Sequence, residues 1–321
     1  MRRIFTIGLL IILLWPPRSA AAGALRRFAR VAVPVADLRR EPRDPLPTLD
    51  HDPLEESQLL YGEPVRVLEE KNGWARVAAV EQLEWSHHKR WEGYPGWVKS
   101  DTLVTEDYGP NFIVTAKQGE VQSKPSPDTG IEIILSLGTR IVVMNPPASQ
   151  GWLHVKLLEG GTGWIRLDEV TPLDELPKIQ RDPQRLRSAL IETARLFLGD
   201  PYYWGGRCTY NSESPTPFHP GIDCSGLVGL AYQANGIEIP RDAHEQWMKA
   251  RAIPREALDP GDLVFLSDPK DPNKITHVML YRGEDRVIEA PGTGTRVRDI
   301  SLEERLKEAN GRRAHFGTYL P

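Results

Sequence analysis

Gly221-Ile222-Asp223-Cys224-Ser225-Gly226-Leu227-Val228-Gly229-Leu230-Ala231-Tyr232-Gln233-Ala234-Asn235-Gly236 is the stretch on which the reading of this chain turns. After Ser225 the apolar residues 227, 228, 230, 231 and 234 mark one face of a helix, and Asn235-Gly236 stops it. Asp223 is an N-cap residue by type, since its carboxylate can accept from an orphan N–H of the first turn. Cys224 then falls in that first turn, where the helix dipole favours an anion and is expected to lower the thiol pKa. A cysteine serving only as a small apolar helix residue needs none of this. Cys224 is therefore read as a thiol nucleophile.

Such a nucleophile needs a base and a group that orients the base. Downstream, Pro260-Gly261-Asp262-Leu263-Val264-Phe265-Leu266 reads as a turn followed by an apolar strand. Thr276-His277-Val278-Met279-Leu280-Tyr281-Arg282-Gly283 is a strand ending at a Gly turn, and Arg286-Val287-Ile288-Glu289-Ala290-Pro291 is its neighbour. Antiparallel pairing sets the His277 ring beside the Glu289 carboxylate, which would hold the tautomer and stabilise the imidazolium. The plainer alternative for Glu289 is an exposed strand carboxylate. Of eight histidines, His277 alone opens a strand in such a hairpin. Upstream, Asp182-Pro183 is a helix start, and Leu186, Leu190, Ala194 and Leu196-Phe197 repeat at helical spacing within 184–198.

Residues 28–174 are of another kind: short β-branched runs bounded by Gly, Pro and Asn, as in an all-β module. They contain an internal repeat. One copy runs Leu59-Leu60-Tyr61-Gly62-Glu63-Pro64-Val65-Arg66-Val67, then Gly73-Trp74, then Gly96-Trp97-Val98. The other runs Leu135-Ser136-Leu137-Gly138-Thr139-Arg140-Ile141-Val142-Val143, then Gly151-Trp152, then Gly163-Trp164-Ile165. The first copy carries an insertion, Glu81 to Glu92, rich in charge, His and Trp. This order of signals resembles two tandem bacterial SH3-like domains, over 28–105 and 111–172; the alternative is a single larger β-barrel. Pro172 to Pro183 reads as a linker.

At 321 residues the chain is long enough for two or three cores. A net charge of −4 gives no reason to expect nucleic acid as a partner. The chain starts Met1-Arg2-Arg3, continues with an apolar run from Ile4 to Trp15, and reaches Ser19-Ala20-Ala21-Ala22-Gly23, the layout of a secretory signal peptide over 1–22. Cleavage is expected after Ala20 or Ala22, since the run is short for a membrane anchor. The mature protein is expected in the periplasm or outside the cell. Two cysteines in an exported protein suggest a disulfide, but the setting of Cys224 argues against pairing with Cys208.

Tyr202-x-Trp204-Gly205-Gly206, Asp223-Cys224-Ser225-Gly226, Pro240-Arg241-Asp242, Pro260-Gly261-Asp262-Leu263 and His277-Val278 occur in this order. Together they resemble the NlpC-type family of papain-like cysteine peptidases, over 184–321. The resemblance implies an α+β fold, with a helix bearing the Cys packed on an antiparallel sheet bearing the His. It also implies cleavage of bacterial wall peptides, most often at the γ-D-glutamyl bond to a diamino acid. Members with two SH3-like domains in front resemble the γ-D-glutamyl-L-diamino acid endopeptidases.

On that resemblance Cys224 and His277 match the nucleophile and the base, and Tyr202 an oxyanion donor. Glu289 stands where the family commonly has a second His. Asp223, Ser225 and Asp242 match positions that anchor the free amine of an N-terminal L-Ala; Ala243 departs from a Ser found there. Glu63 and Tyr94 are the candidates contributed to this pocket by the first SH3-like domain. No cofactor or metal is expected, and the spacing of Cys208, His219 and His244 fits no zinc pattern. His87-His88 with Trp85 and Trp91 is either a sugar or metal ligand or a solvated insertion. Two rival functions stand beside the peptidase: a wall-binding protein without catalysis, and a thiol amidase acting on another substrate.

Overall fold

The computed structural model describes residues 27–45, 51–144, 151–209 and 221–321. The expected signal peptide, 1–22, and His219 lie outside the described residues. The first sheet comprises β1 (Phe28–Val31), β2 (Val35–Arg39), β3 (Glu55–Leu60), β4 (Pro64–Lys71), β5 (Trp74–Glu84), β6 (Glu92–Lys99) and β7 (Leu103–Val104). The second comprises β8 (Phe112–Val114), β9 (Gln118–Gln122), β10 (Ile131–Ser136), β11 (Arg140–Val143), β12 (Trp152–Lys156), β13 (Thr162–Arg166) and β14 (Val170–Pro172). Their strand orders are β3-β2-β6-β5-β4-β1-β7 and β10-β9-β13-β12-β11-β8-β14, the same order with each label advanced by seven. The repeat is thus two antiparallel sheets of one topology rather than one larger barrel.

The paired Gly-Trp signals have a common cause. A Cβ on Gly96 would lie 2.6 Å from the Leu38 side chain of β2, and one on Gly163 would lie 2.4 Å from Val121 of β9. Both copies need a residue without a side chain where the closing strand crosses its neighbour. Each copy fills its own centre with small and branched apolar groups. Val31, Leu38, Leu59 and Val77 belong to the first, and Val121, Leu135, Ile141 and Ile165 to the second.

The C-terminal domain holds the helices. α1 (Leu176–Gln180) lies within the stretch expected to be a linker, and the Gln180 amide donates to the carbonyls of Asn235 and Gly236. α2 (Pro183–Arg195) starts at Asp182, whose side chain accepts from the Arg185 N–H, and buries Leu186, Leu190, Ile191 and Ala194. α3 (Cys224–Ala234) and α4 (Ala243–Lys249) follow. The third sheet then forms from β15 (Arg251–Ala252), β16 (Leu263–Ser267), β17 (Ile275–Gly283), β18 (Arg286–Glu289), β19 (Arg298–Ser301) and β20 (Ala314–Thr318), in the order β15-β20-β16-β17-β18-β19. α5 (Leu302–Lys307) lies between its last two strands in the chain.

α2 and α3 cover one face of this sheet, over Leu263, Phe265, Val278, Leu280 and Ile288. The other face buries Val264, Leu266, Met279 and Val287 against Leu302 and Ala309. All five residues of β16 are buried, as expected for a strand covered on both sides. Leu60 of the first sheet and Leu137, in the turn after β10, join the core beneath α3. Among the described residues no helix is long and apolar enough to cross a membrane.

Candidate active site

Asp223 caps α3, its Oδ1 accepting from the Gly226 N–H at 2.6 Å. Gly226 is required there, because a Cβ would lie 2.3 Å from the Gly206 carbonyl oxygen. The first turn of α3 therefore rests directly on the loop after Tyr202. Cys224 is half-buried and, like the fully buried Cys208, a free thiol. The backbone N–H of Val278 donates to the Cys224 sulfur, so the sulfur sits beside the peptide that follows His277.

His277, 3% exposed, is held by Glu289 at the end of β18, with Nε2 at 2.6 Å from Oε2. Sequence reasoning found this pair but not what holds it. Arg305 donates from Nε to Glu289 Oε2 at 2.8 Å. Arg298 donates to Oε1 from Nε at 3.0 Å and from Nη2 at 2.8 Å. Burial raises the Glu289 pKa, but the hydrogen bond to His277 and the Arg305 guanidinium outweigh it and hold the carboxyl at about 2. The carboxylate thus stays ionised, and Nε2 is the protonated nitrogen of the ring. Burial lowers the His277 pKa, opposed by Glu289 and assisted by Arg305 and Arg312. The neutral ring keeps a lone pair on Nδ1.

The thiol departs from expectation. Burial, and then the Asp223 carboxylate, push Cys224 up to about 12, against the Val278 N–H and Arg241. The cap that starts the helix thus places a negative charge beside the sulfur, opposing the helix dipole. A neutral thiol and a neutral imidazole are suited to proton transfer during attack rather than to a standing ion pair. Tyr202 bridges to Ile222, the residue before Asp223. Its hydroxyl pKa is raised by burial and then by the neighbouring Cys224 and Asp223.

Arg241, 3% exposed, joins this site to the first sheet. Its Nη2 donates to Asp223 Oδ2 and to the Gly205 carbonyl, both at 2.8 Å. Its Nη1 donates to Ser225 Oγ at 2.9 Å, and its Nε to Ser57 Oγ of β3 at 2.7 Å. Asp223 and Ser225 are therefore both bound to Arg241. Arg241→Leu strands a buried carboxylate and is expected to cost about 3–5 kcal/mol of stability, read by urea unfolding. Unchanged stability would mean the pair contributes nothing net.

Beyond Arg241 lies an acidic cluster. Tyr94 Oη is 3.0 Å from Asp242 Oδ2 and 3.3 Å from Glu56 Oε2. Burial raises Asp242 to about 7, opposed by Arg241 and reinforced by Glu245 and Asp223. Tyr94 thus reaches Asp242 and Glu56, whereas Glu63 is not in this group. Glu63 Oε1 pairs with Arg207 at 2.6 Å, and its Oε2 accepts from the Leu60 N–H and the Gln82 amide, each at 3.2 Å. Glu63 joins the domains, and Glu56 of β3 takes the place foreseen for it. Ala243 begins α4 without adding a hydroxyl to the cluster.

Residues 199–313 match the NlpC/P60 family. The γ-D-glutamyl-L-lysine dipeptidyl-peptidase of Bacillus cereus is 29% identical over 254 residues, which cover 77% of this chain and 70% of that one. Its Bacillus subtilis counterpart is 29% identical over 255 residues, covering 79% and 78%. A crystal structure of an NlpC/P60 family protein from Bacillus cereus shares the fold at a TM-score of 0.76 and 26% identity, over 92% of this chain and 100% of that one.

Proposed function

The C-terminal domain of this chain belongs to the NlpC/P60 family of cysteine peptidases, and from that premise we propose that the protein hydrolyses the γ-D-glutamyl bond to the diamino acid in cell-wall peptides whose N-terminal L-Ala is free. One observation carries the finer part. Tyr94 and Glu56 from the first sheet meet Asp242 from the peptidase domain beside the Arg241–Asp223 pair. A half-buried carboxylate raised to about 7 is short of positive charge, and an α-ammonium supplies it. An acetylated or chain-embedded stem brings no such charge. The names of the two Bacillus peptidases agree with this substrate class.

In the proposed reaction the Cys224 sulfur attacks the γ-carbonyl carbon of D-Glu as Nδ1 of His277 takes the thiol proton. The tetrahedral oxyanion is met by the Cys224 backbone N–H and the Tyr202 hydroxyl, donors worth roughly 3 kcal/mol each. His277 then gives its proton to the departing diamino-acid amine, and the C–N bond breaks to leave a thioester. Water, deprotonated by His277, hydrolyses the thioester and releases L-Ala-γ-D-Glu. Glu289 keeps Nε2 protonated and steadies the imidazolium throughout. Its clamp by Arg298 and Arg305 sets a carboxylate where the family commonly has a second His. The basic, apolar and small-residue segments of 1–22 support export as the route to this substrate.

A panel of L-Ala-γ-D-Glu-L-Lys, its diaminopimelate counterpart, N-acetylated versions of both and intact sacculi, read by mass spectrometry, tests this reading. Dipeptide release from the free-amine peptides is expected, with acetylation lowering kcat/KM by about 100-fold or more. Equal cleavage of the acetylated peptides would refute the amine pocket. Retention on sacculi without release of any peptide would favour the wall-binding rival.

A further inference from the structure

The insertion after β5 holds a second group of chemistry-bearing side chains, outside the peptidase centre. Glu84 ends β5 and Glu92 opens β6, and the two face each other in register across the hairpin. His88 lies in the turn between them. One donor atom from each of Glu84, His88 and Glu92 lies within 4.8 Å of the others. The sequence showed only His87-His88 because the carboxylates come together through strand pairing, not through spacing.

The hydrogen bonds around this group leave it incomplete. Glu84 is 1% exposed. Its Oε2 accepts from the His87 backbone N–H at 3.0 Å and lies 3.0 Å from His87 Nδ1. Its Oε1 is buried with no hydrogen-bond partner among the described residues. A buried carboxylate oxygen left bare is costly, so a missing partner is implied. Glu92 Oε2 accepts from Arg90 Nε at 2.9 Å, while Oε1 contacts His88 Nδ1. Two carboxylates and one imidazole with an exposed edge match the donor set of a first-row divalent cation that keeps water in an open position. The imidazole disfavours calcium and magnesium, which take oxygen ligands.

We propose that Glu84, His88 and Glu92 bind one zinc-type divalent ion, which ties β5 to β6 at the mouth of the hairpin. The tie reaches the acidic cluster through contacts already in place. The His87 ring meets Tyr94 edge-on at 5.0 Å, and Ser86 donates to Glu245. Lys249 of α4 stands over Trp91 at 4.3 Å, and the Arg241 N–H donates to the Leu83 carbonyl at 3.0 Å. The ion thus braces the wall that carries Tyr94.

The test uses the full chain bearing Cys224→Ala, which removes a competing sulfur ligand, freed of metal by chelator. Zinc is titrated by calorimetry and cobalt by visible absorption. One equivalent is expected to bind, with the cobalt spectrum showing nitrogen and oxygen ligands. His88→Ala and Glu92→Gln, each added to that background, are expected to weaken zinc binding at least about tenfold, and His154→Ala on the second sheet to leave it unchanged. Circular dichroism verifies that each variant is folded. Zinc should also raise the unfolding temperature of the background protein, by mass action, but not that of the His88→Ala variant. Absence of binding at millimolar zinc, or binding that survives both substitutions, would overturn the proposal.

Discussion

Cys224→Ala protein is expected to release no dipeptide above background while unfolding at the parent's temperature. Removing a nucleophile that works as a unit with its base lowers turnover by roughly four to six orders of magnitude. The cost to the fold is small, because Cys224 is half-buried and its cap, Asp223, is untouched. What is lost is one sulfur and its acceptance of the Val278 N–H, so the change in stability should stay within about 1 kcal/mol. The raised thiol adds a second reading of the same variant pair. At neutral pH iodoacetamide should label the parent slowly, and labelling should accelerate with alkali as the thiol, placed at about 12, begins to ionise. Cys208 is fully buried and should stay unlabelled in the folded protein. Fast labelling of Cys224 in weak acid would instead reveal a thiolate–imidazolium pair, and turnover by Cys224→Ala would sink the nucleophile assignment.

Glu289→Gln is expected to damage both catalysis and stability. A glutamine carries no charge to steady the imidazolium and can present its NH2 to Nε2, favouring the wrong tautomer. The expected fall in kcat is about 100- to 10,000-fold. Arg298 and Arg305 would also lose the carboxylate between them, costing about 3–5 kcal/mol for the broken buried pair. The pH dependence separates these effects. Because the Glu289 pKa is lowered from 4.5 to about 2 in the folded protein, its contribution of about 3 kcal/mol is complete above the unfolded value. It drains away as the pH falls through the folded value. Urea midpoints of the parent should therefore drop in that acid window, and those of Glu289→Gln should drop less. A variant with parental kcat would reduce Glu289 to a structural anchor.

The helix start at Asp223, the His277–Glu289 hairpin and the repeated Gly-Trp signals were legible because they are local: a cap, a strand pair and a period are written within a few residues. Arg241 was legible only as part of a motif. Its partner Ser57 lies 184 positions away, and no spacing rule connects them. The same limit misplaced Glu63. Beside the Gly62 turn it read as a loop carboxylate open to a ligand, but the fold presses it against Arg207 from the peptidase domain. Glu56, which does reach Tyr94, follows Glu55 in β3, and only the strand's orientation distinguishes the two. The thiol pKa failed for another reason. The helix dipole favours the thiolate, but the burial of the sulfur and the charge of the very cap that makes the helix visible oppose it.

Leu60 and Leu137, contributed by the two β-modules to the core beneath α3, bear on how such a protein can change over generations. Modules joined by a slack tether can be exchanged freely, each bringing its own stability. Here β3 carries Ser57 on Arg241 and Glu56 on Tyr94, and the residue at its end packs under the nucleophile's helix. A substitution in that strand disturbs the β-module and the C-terminal domain together. A graft of this peptidase domain onto foreign modules would therefore leave behind part of its own interior.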